Sequence, residues 1–232
     1  MPFSEKLAEF FMVERPNLSV DVQGGGSTAG IQAVNEAIAD IGMCSRSLKP
    51  EETGYTPIVI ARDGLAVVVH PSNRVSGLEG TQIQRIFAGE LLNWRDVGGD
   101  DREIRLITRE EGSGTREAFC KMVMGKSRIS RKALTQESNG AVKELVKGDP
   151  CAIGYMSFGL VGADLKILDV DHIAPSRDSV RSGQYPLVRP FLLVTRGALK
   201  SQAGAFLDYV LSGEAQALLE KEGLAGAQGG GS

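Results

Sequence analysis

A chain of 232 residues, 42% hydrophobic and 24% charged, has the length and apolar content for one large core or two smaller ones. That balance excludes disordered, fibrous and membrane-spanning chains. With a net charge of -3 and no long basic run there is no global electrostatic case for nucleic acid or an anionic membrane, so any anion site has to be local.

Phe3, Leu7, Phe10 and Phe11 keep helical spacing, and Pro16 with Asn17 stops that helix. The same stretch carries Glu5, Lys6, Glu9, Glu14 and Arg15 where a secretory leader needs an uncharged core. No signal peptide is therefore predicted, and Met1 reads as an engineered start. "LSVDVQ", residues 18–23, alternates as a strand; "GGGSTAG" leads into a helix with Ile31, Val34 and Ile38 on one face, and "ADIGM" follows as a short strand. Helix, strand, helix, strand is the alternation of an α/β sheet. Residues 57–61 and 65–70 read as two apolar strands parted by a turn at Asp63-Gly64. A helix with Ile83, Ile86 and Phe87 comes next, then a strand at 103–108, a helix at 114–124, and a helix capped by Ser138 or Asn139 and ended by Gly148. Residues 151–157 and 165–170 supply strands and 185–197 a long extended run, while Ala203, Phe206, Leu207, Val210 and Leu211 form the stripe of a last helix. The Gly/Ser-rich residues 225–232 read as a flexible, engineered linker.

No repeat emerges and no linker cuts the chain in two. Two α/β lobes are possible if extended segments near His70 and Pro190 cross between them, with the site in a cleft that closes by hinge motion.

Cys44, Cys120 and Cys151 are widely spaced with no CxxC pair, so they read as free, buried or half-buried thiols, Cys44 being the one near a site. His70 and His172 are too few for a metal cluster and read as structural or exposed. No metal or cofactor is implied.

The chemistry concentrates in three Ser/Thr/Gly clusters: 24–30, 43–48 and "EEGSGTRE" at 110–117. Each can present hydroxyls and backbone N–H groups to an oxyanion, although Gly-Ser turns are also ordinary helix caps. Three together with Arg109, whose fork of donors suits a tetrahedral oxyanion, favour an anion site. The cluster at 110–117 has no P-loop lysine, no GxGxxG follows a first strand, and no nucleophile elbow or HExxH is present. Adjacent Glu110 and Glu111 point apart on an extended or turn segment, so the pair is not a glycosidase dyad. Binding without catalysis is the economical reading. Phosphate near neutral pH keeps a proton and sulfate does not, so a carboxylate in the shell separates them. Glu111 can accept that proton or steady Arg109, and Asp63 is the other candidate acceptor.

On "VQGGGSTAGIQAV", "ADIGMCSRSLKPEE", "DGLAVVVHPSN", "IFAGELLNWRDVGG", "TREEGSGTREAF", "SNGAVKELV", "AIGYMSFG" and "YPLVRPFLLVTRG", in order from about residue 3 to 224, the sequence resembles the PstS-type phosphate-binding proteins. These are the extracytoplasmic substrate-binding subunits of bacterial phosphate ABC transporters. The resemblance implies a type II periplasmic-binding-protein fold, α/β, with two lobes joined by two crossover strands and inorganic phosphate in the cleft. The expected division is 1–70 plus 191–226, 71–190, and a tail at 227–232. It further implies ABC permease subunits as partners and a periplasmic, secreted or membrane-anchored location. By motif, Ser27 donates from the first turn and Arg109, Ser113, Gly114 and Thr115 from the second lobe; Glu111 takes the place of the acid beside the arginine. Ser45 stands where some members carry a second acid, which leaves Asp63 as the substitute. Asn139 joins on closure and Arg46 flanks the rim. The family's first strand would precede Pro2, so either a second chain or fragment supplies it, or the sheet position stays open and the isolated chain binds weakly. A sulfate, molybdate or tungstate binder, a phosphatase relative and an engineered split or permuted sensor are the alternatives.

Overall fold

The computed structural model describes residues 2–199 and 201–227; Met1, read above as an engineered start, and residues 228–232 of the expected tail lie outside them. Helix α1 (Pro2–Glu14) and helix α2 (Gly26–Asn35) precede strand β1 (Gly42–Cys44) and the long strand β2 (Thr56–Val69). There follow β3 (Gly77–Leu78), α3 (Gly80–Ala88), β4 (Arg105–Arg109), α4 (Gly114–Phe119), β5 (Leu134–Gln136), α5 (Asn139–Gly148) and β6 (Ala152–Ser157). The chain continues through β7 (Lys166–Ile167), β8 (Asp169–Val170), α6 (Arg177–Arg181) and β9 (Val188–Thr195), and the described part closes with α7 (Ser201–Val210), α8 (Gly213–Lys221) and β10 (Ala225–Gly226).

β2 and β9 run antiparallel through the middle, in the sheet order β1-β9-β2-β6-β4-β5. Their apolar residues divide into separate cores. Ile60 and Ala61 on β2 and Leu193 on β9 pack with Phe3, Leu7 and Phe11 of α1 and with Phe206, Val210 and Leu219. Beyond Gly64 the same strand serves other neighbours: Leu65, Val67 and Val69 meet Ile83, Phe87, Phe119 and Tyr155, while Ala66 and Val68 meet Ile107, Val142 and Met156. A strand covered on both faces reads as an unbroken apolar run, which is why 65–69 shows no alternation.

The sheet corrects several expectations. Asp63-Gly64 is no turn, because β2 passes straight through it with Asp63 opposite Arg189 and Gly64 opposite Val188. The polar pair looked like a loop tip, but Arg189 neutralises Asp63 inside the fold. Gly64 is required by packing, since a Cβ there would lie 2.7 Å from Val180 Cγ2. Residues 18–23 alternate as predicted, half-buried at Leu18, Val20 and Val22 and exposed between, yet they form no ladder among the described residues. Alternation reports a buried face; a strand also needs a neighbour. α2 ends before Ile38, which is 74% exposed, after a positive φ at Ala37. α7 ends before Leu211, and α8, capped by Ser212, was not predicted. Ala225 and Gly226 belong to the sheet, paired with Arg62 and Ala61, so the expected linker does not begin there. Ser138, not Asn139, caps α5, its Oγ accepting from Ala141 N at 3.0 Å.

Candidate functional site

Against the core that holds Phe3, Ile60, Leu193 and Leu219, a cavity of about 670 Å3 is lined by all three polar clusters. Ser27 enters on the first turn of α2, after Gly25 and Gly26, whose φ values of 142° and 84° only glycine holds without strain. Gly26 also passes close to Gly112, where a Cβ would meet the carbonyl oxygen at 2.7 Å. Buried Ser27 accepts at Oγ from Ser45 N at 3.0 Å and sits 3.4 Å from Ser45 Oγ, so the first two clusters are one unit. Ser113 caps α4, accepting from Arg116 N at 3.3 Å. Gly114 faces the serine pair so closely that a Cβ would collide with both Oγ atoms. Thr115 is buried beside it.

Arg109, at the end of β4, is 7% exposed. Its Nε donates to Glu110 Oε2 at 2.8 Å and its Nη2 to Glu110 Oε1 at 2.9 Å, with the Gln136 and Glu137 carbonyls behind at 3.2 and 3.3 Å. Nη1 makes only a long bond, 3.4 Å to Asn139 Oδ1, and so is the nitrogen with donor capacity left for the cavity. The Arg109 backbone is fixed by Tyr155, whose hydroxyl lies 2.7 Å from Thr108 Oγ1 and accepts from Arg109 N at 3.3 Å. Burial pushes the Tyr155 phenol up to about 12, keeping it neutral. Its ring stacks on Phe119 at 4.0 Å and meets Phe87 edge-on, which anchors this wall in the core.

Of the residues expected at the site, the structure brings together Ser27, Ser45, Arg109, Ser113, Gly114, Thr115 and Asn139. Glu111 does not join them: its side chain is 93% exposed and its nearest cation is Arg116 at 4.0 Å. The acid on the arginine is Glu110, one residue earlier, because the chain after β4 enters a tight turn, closed by Ser113 N donating to Glu110 O at 3.3 Å with Gly112 at a φ of 84°, and Glu111 stands at its solvent-facing tip. Asp63 is fully buried but does not line the cavity; it accepts from Ser157 at 3.0 Å and from Arg189 Nε and Nη2 at 3.0 and 2.8 Å. Burial pushes its carboxyl upward, and the Arg189 guanidinium opposes that. Arg46 is no rim residue either, being 5% exposed and paired with Glu52 and Glu117. His70 bonds its neighbour Ser72, and neither histidine lines the cavity.

Arg189, like Glu110, is a lining residue that sequence reasoning missed. From β9 its Nη1 donates to Thr115 Oγ1 at 2.8 Å and to Ser45 O at 3.3 Å, tying the second and third clusters together. The signal was there: a single arginine inside the apolar run "YPLVRPFLLV" has to be paired or functional once that run is buried. Two guanidinium groups, five serines, a threonine and the first residues of α2, α4 and α5 thus line one space. That set suits a compact anion with several oxygens.

A family model described as a PBP superfamily domain matches residues 2–214. The phosphate-binding protein PstS of Bacillus subtilis is 31% identical over 90% of this chain and 71% of its own length, and PstS of Borreliella burgdorferi 27% identical over 90% and 80%. Among solved structures, a phosphate ABC transporter substrate-binding protein from Clostridium perfringens with bound phosphate superposes with a TM-score of 0.94 and 36% identity, covering 98% of this chain and 95% of that one. An ABC-type phosphate transport receptor from Vibrio cholerae gives 0.83 and 34%, covering 97% and 95%.

Proposed function

The chain belongs to the PBP superfamily and, within it, to the PstS family, and on that premise we propose that its cleft binds one inorganic phosphate ion for delivery to the permease subunits of an ABC importer. The observation that carries the reading is the convergence of Arg109 with the Ser27, Ser45 and Ser113 hydroxyls on one cavity. Gly114, Thr115 and Asn139 complete the shell. Glu110 takes the part expected of Glu111, both steadying Arg109 and offering an acceptor to the phosphate proton. The protein works as a binder, without catalysis, outside the cytoplasm. Among the described residues no helix is long and apolar enough to cross a membrane. The lobes are 1–70 plus 191–226 and 71–190 in outline, and the packing of 65–69 with the second core favours placing the first crossover at Asp63-Gly64.

Calorimetry with phosphate and with sulfate tests this. Phosphate should bind about 100-fold or more tighter, because a carboxylate facing an unprotonated sulfate oxygen costs on the order of 3 kcal/mol. Equal affinities would overturn the reading.

A strand contributed in trans by a second chain or fragment fits beside β1. Supporting this, β1 stands at one end of the sheet path, 18–23 alternates without a ladder, and the cavity runs on past Phe3, Met43, Ile60 and Leu219. A short peptide of alternating apolar residues should raise the melting temperature, with the logarithm of its concentration once that exceeds the dissociation constant, whereas a melting curve indifferent to such peptides would remove the idea.

A further inference from the structure

Glu117 lies on α4, one turn beyond the cavity-lining Ser113, Gly114 and Thr115, and does not itself line the cavity. Its neighbours Ala118 and Phe119 pack into the second core. Its carboxylate nevertheless reaches across to the first half. Oε2 pairs with Arg46 Nε, and Oε1 pairs with Lys49 Nζ at 3.0 Å and accepts from Thr28 Oγ1 at 3.2 Å. The backbone adds one bond along the same seam, Thr28 N to Gly112 O at 3.4 Å.

The receiving side is built to hold its shape without Glu117. Arg46 forks onto Glu52 with two bonds of 2.7 Å, and Glu52 also accepts from Lys49 N at 2.8 Å. Burial raises the Glu52 carboxyl, but the Arg46 and Lys49 contacts outweigh it and hold the group below its usual range. Arg46 is 5% exposed and Glu117 22%, so the pair across the seam is poorly screened by solvent.

We infer that Glu117 is a positioning residue that sets ligand affinity by latching the two lobes closed through Arg46, Lys49 and Thr28. The inference rests on the phosphate reading of the cleft. Contacts made only in the closed form shift the open–closed equilibrium, and apparent affinity scales with the fraction of protein in the competent form. Because α4 carries both the latch and three ligand-shell residues, opening the latch moves half of the shell. Ligand held behind a closed latch leaves slowly, so the effect falls on release.

The test compares the wild type with Glu117→Gln and with Glu111→Gln, whose exposed side chain serves as a control. Small-angle scattering without ligand, phosphate calorimetry, release of radiolabelled phosphate in a chase, and thermal melting are measured on each. Glu117→Gln should expand the free protein, bind phosphate about tenfold more weakly, and release it faster by a similar factor, a coupling of ordinary size. Melting should change little, because Arg46 keeps Glu52. Unchanged scattering and affinity in Glu117→Gln would overturn the latch, as would an equal loss in Glu111→Gln. If the wild type takes up no phosphate, the reading of the cleft fails, while expansion of Glu117→Gln would still support the latch.

Discussion

Arg109→Ala should weaken phosphate binding by about 30- to 1,000-fold, the equivalent of about 2–4 kcal/mol for losing one or two charge-assisted hydrogen bonds. The size follows from how the side chain is held. Glu110 takes two of its donors and the Gln136 and Glu137 carbonyls support the same edge, so the guanidinium is already aimed when the ligand arrives. A preordered group loses little rotamer freedom on binding, and its removal deletes nearly the whole interaction. Glu110 keeps 27% side-chain exposure, so it stays solvated when its partner is gone, and melting should fall by far less than binding. Arg109→Lys separates charge from geometry: it keeps the charge but cannot fork onto Glu110 and reach the cavity together, and should lose about tenfold. Calorimetry that finds Arg109→Ala within about threefold of the wild type would take Arg109 out of the ligand shell.

The parts of this fold and site that were legible in the sequence are those set by short-range chemistry. Gly-Ser turns before helical stripes mark α2 and α4, and the clusters around Ser27, Ser45 and Ser113 do meet in one cavity. What escaped depends on partners distant along the chain. Asp63 read as a turn because an Asp-Gly pair normally is one, and only Arg189, 126 residues away, lets β2 run through it. Glu111 and Glu110 are indistinguishable by composition; the turn after β4, with Gly112 at positive φ, leaves Glu110 on Arg109 and puts Glu111 at the exposed tip. Residues 18–23 show the converse case, a strand pattern whose neighbour is not among the described residues.

The Asp63–Arg189 pair yields the largest expected loss of stability. Asp63→Ala leaves a guanidinium at 2% exposure with its main counter-charge removed, which costs about 3–5 kcal/mol, or on the order of 6–20 °C in melting temperature for a chain of this size. If charge compensation is the only issue, replacing both partners by apolar residues of similar volume should recover most of that. The variant Asp63→Leu with Arg189→Met is therefore expected to melt close to the wild type, as buried pairs exchanged for packing commonly do. Its phosphate affinity should not recover. Arg189 also holds Thr115 Oγ1 and the Ser45 carbonyl, so the methionine leaves the second and third clusters without their common donor, next to a ligand carrying negative charge. Stability and binding thus part company in a single protein: the pair is dispensable for the fold once both members go, and Arg189 is not dispensable for the site. A double variant that regains both would assign the pair to folding alone, and one that regains neither would mean the crossover needs the charges themselves.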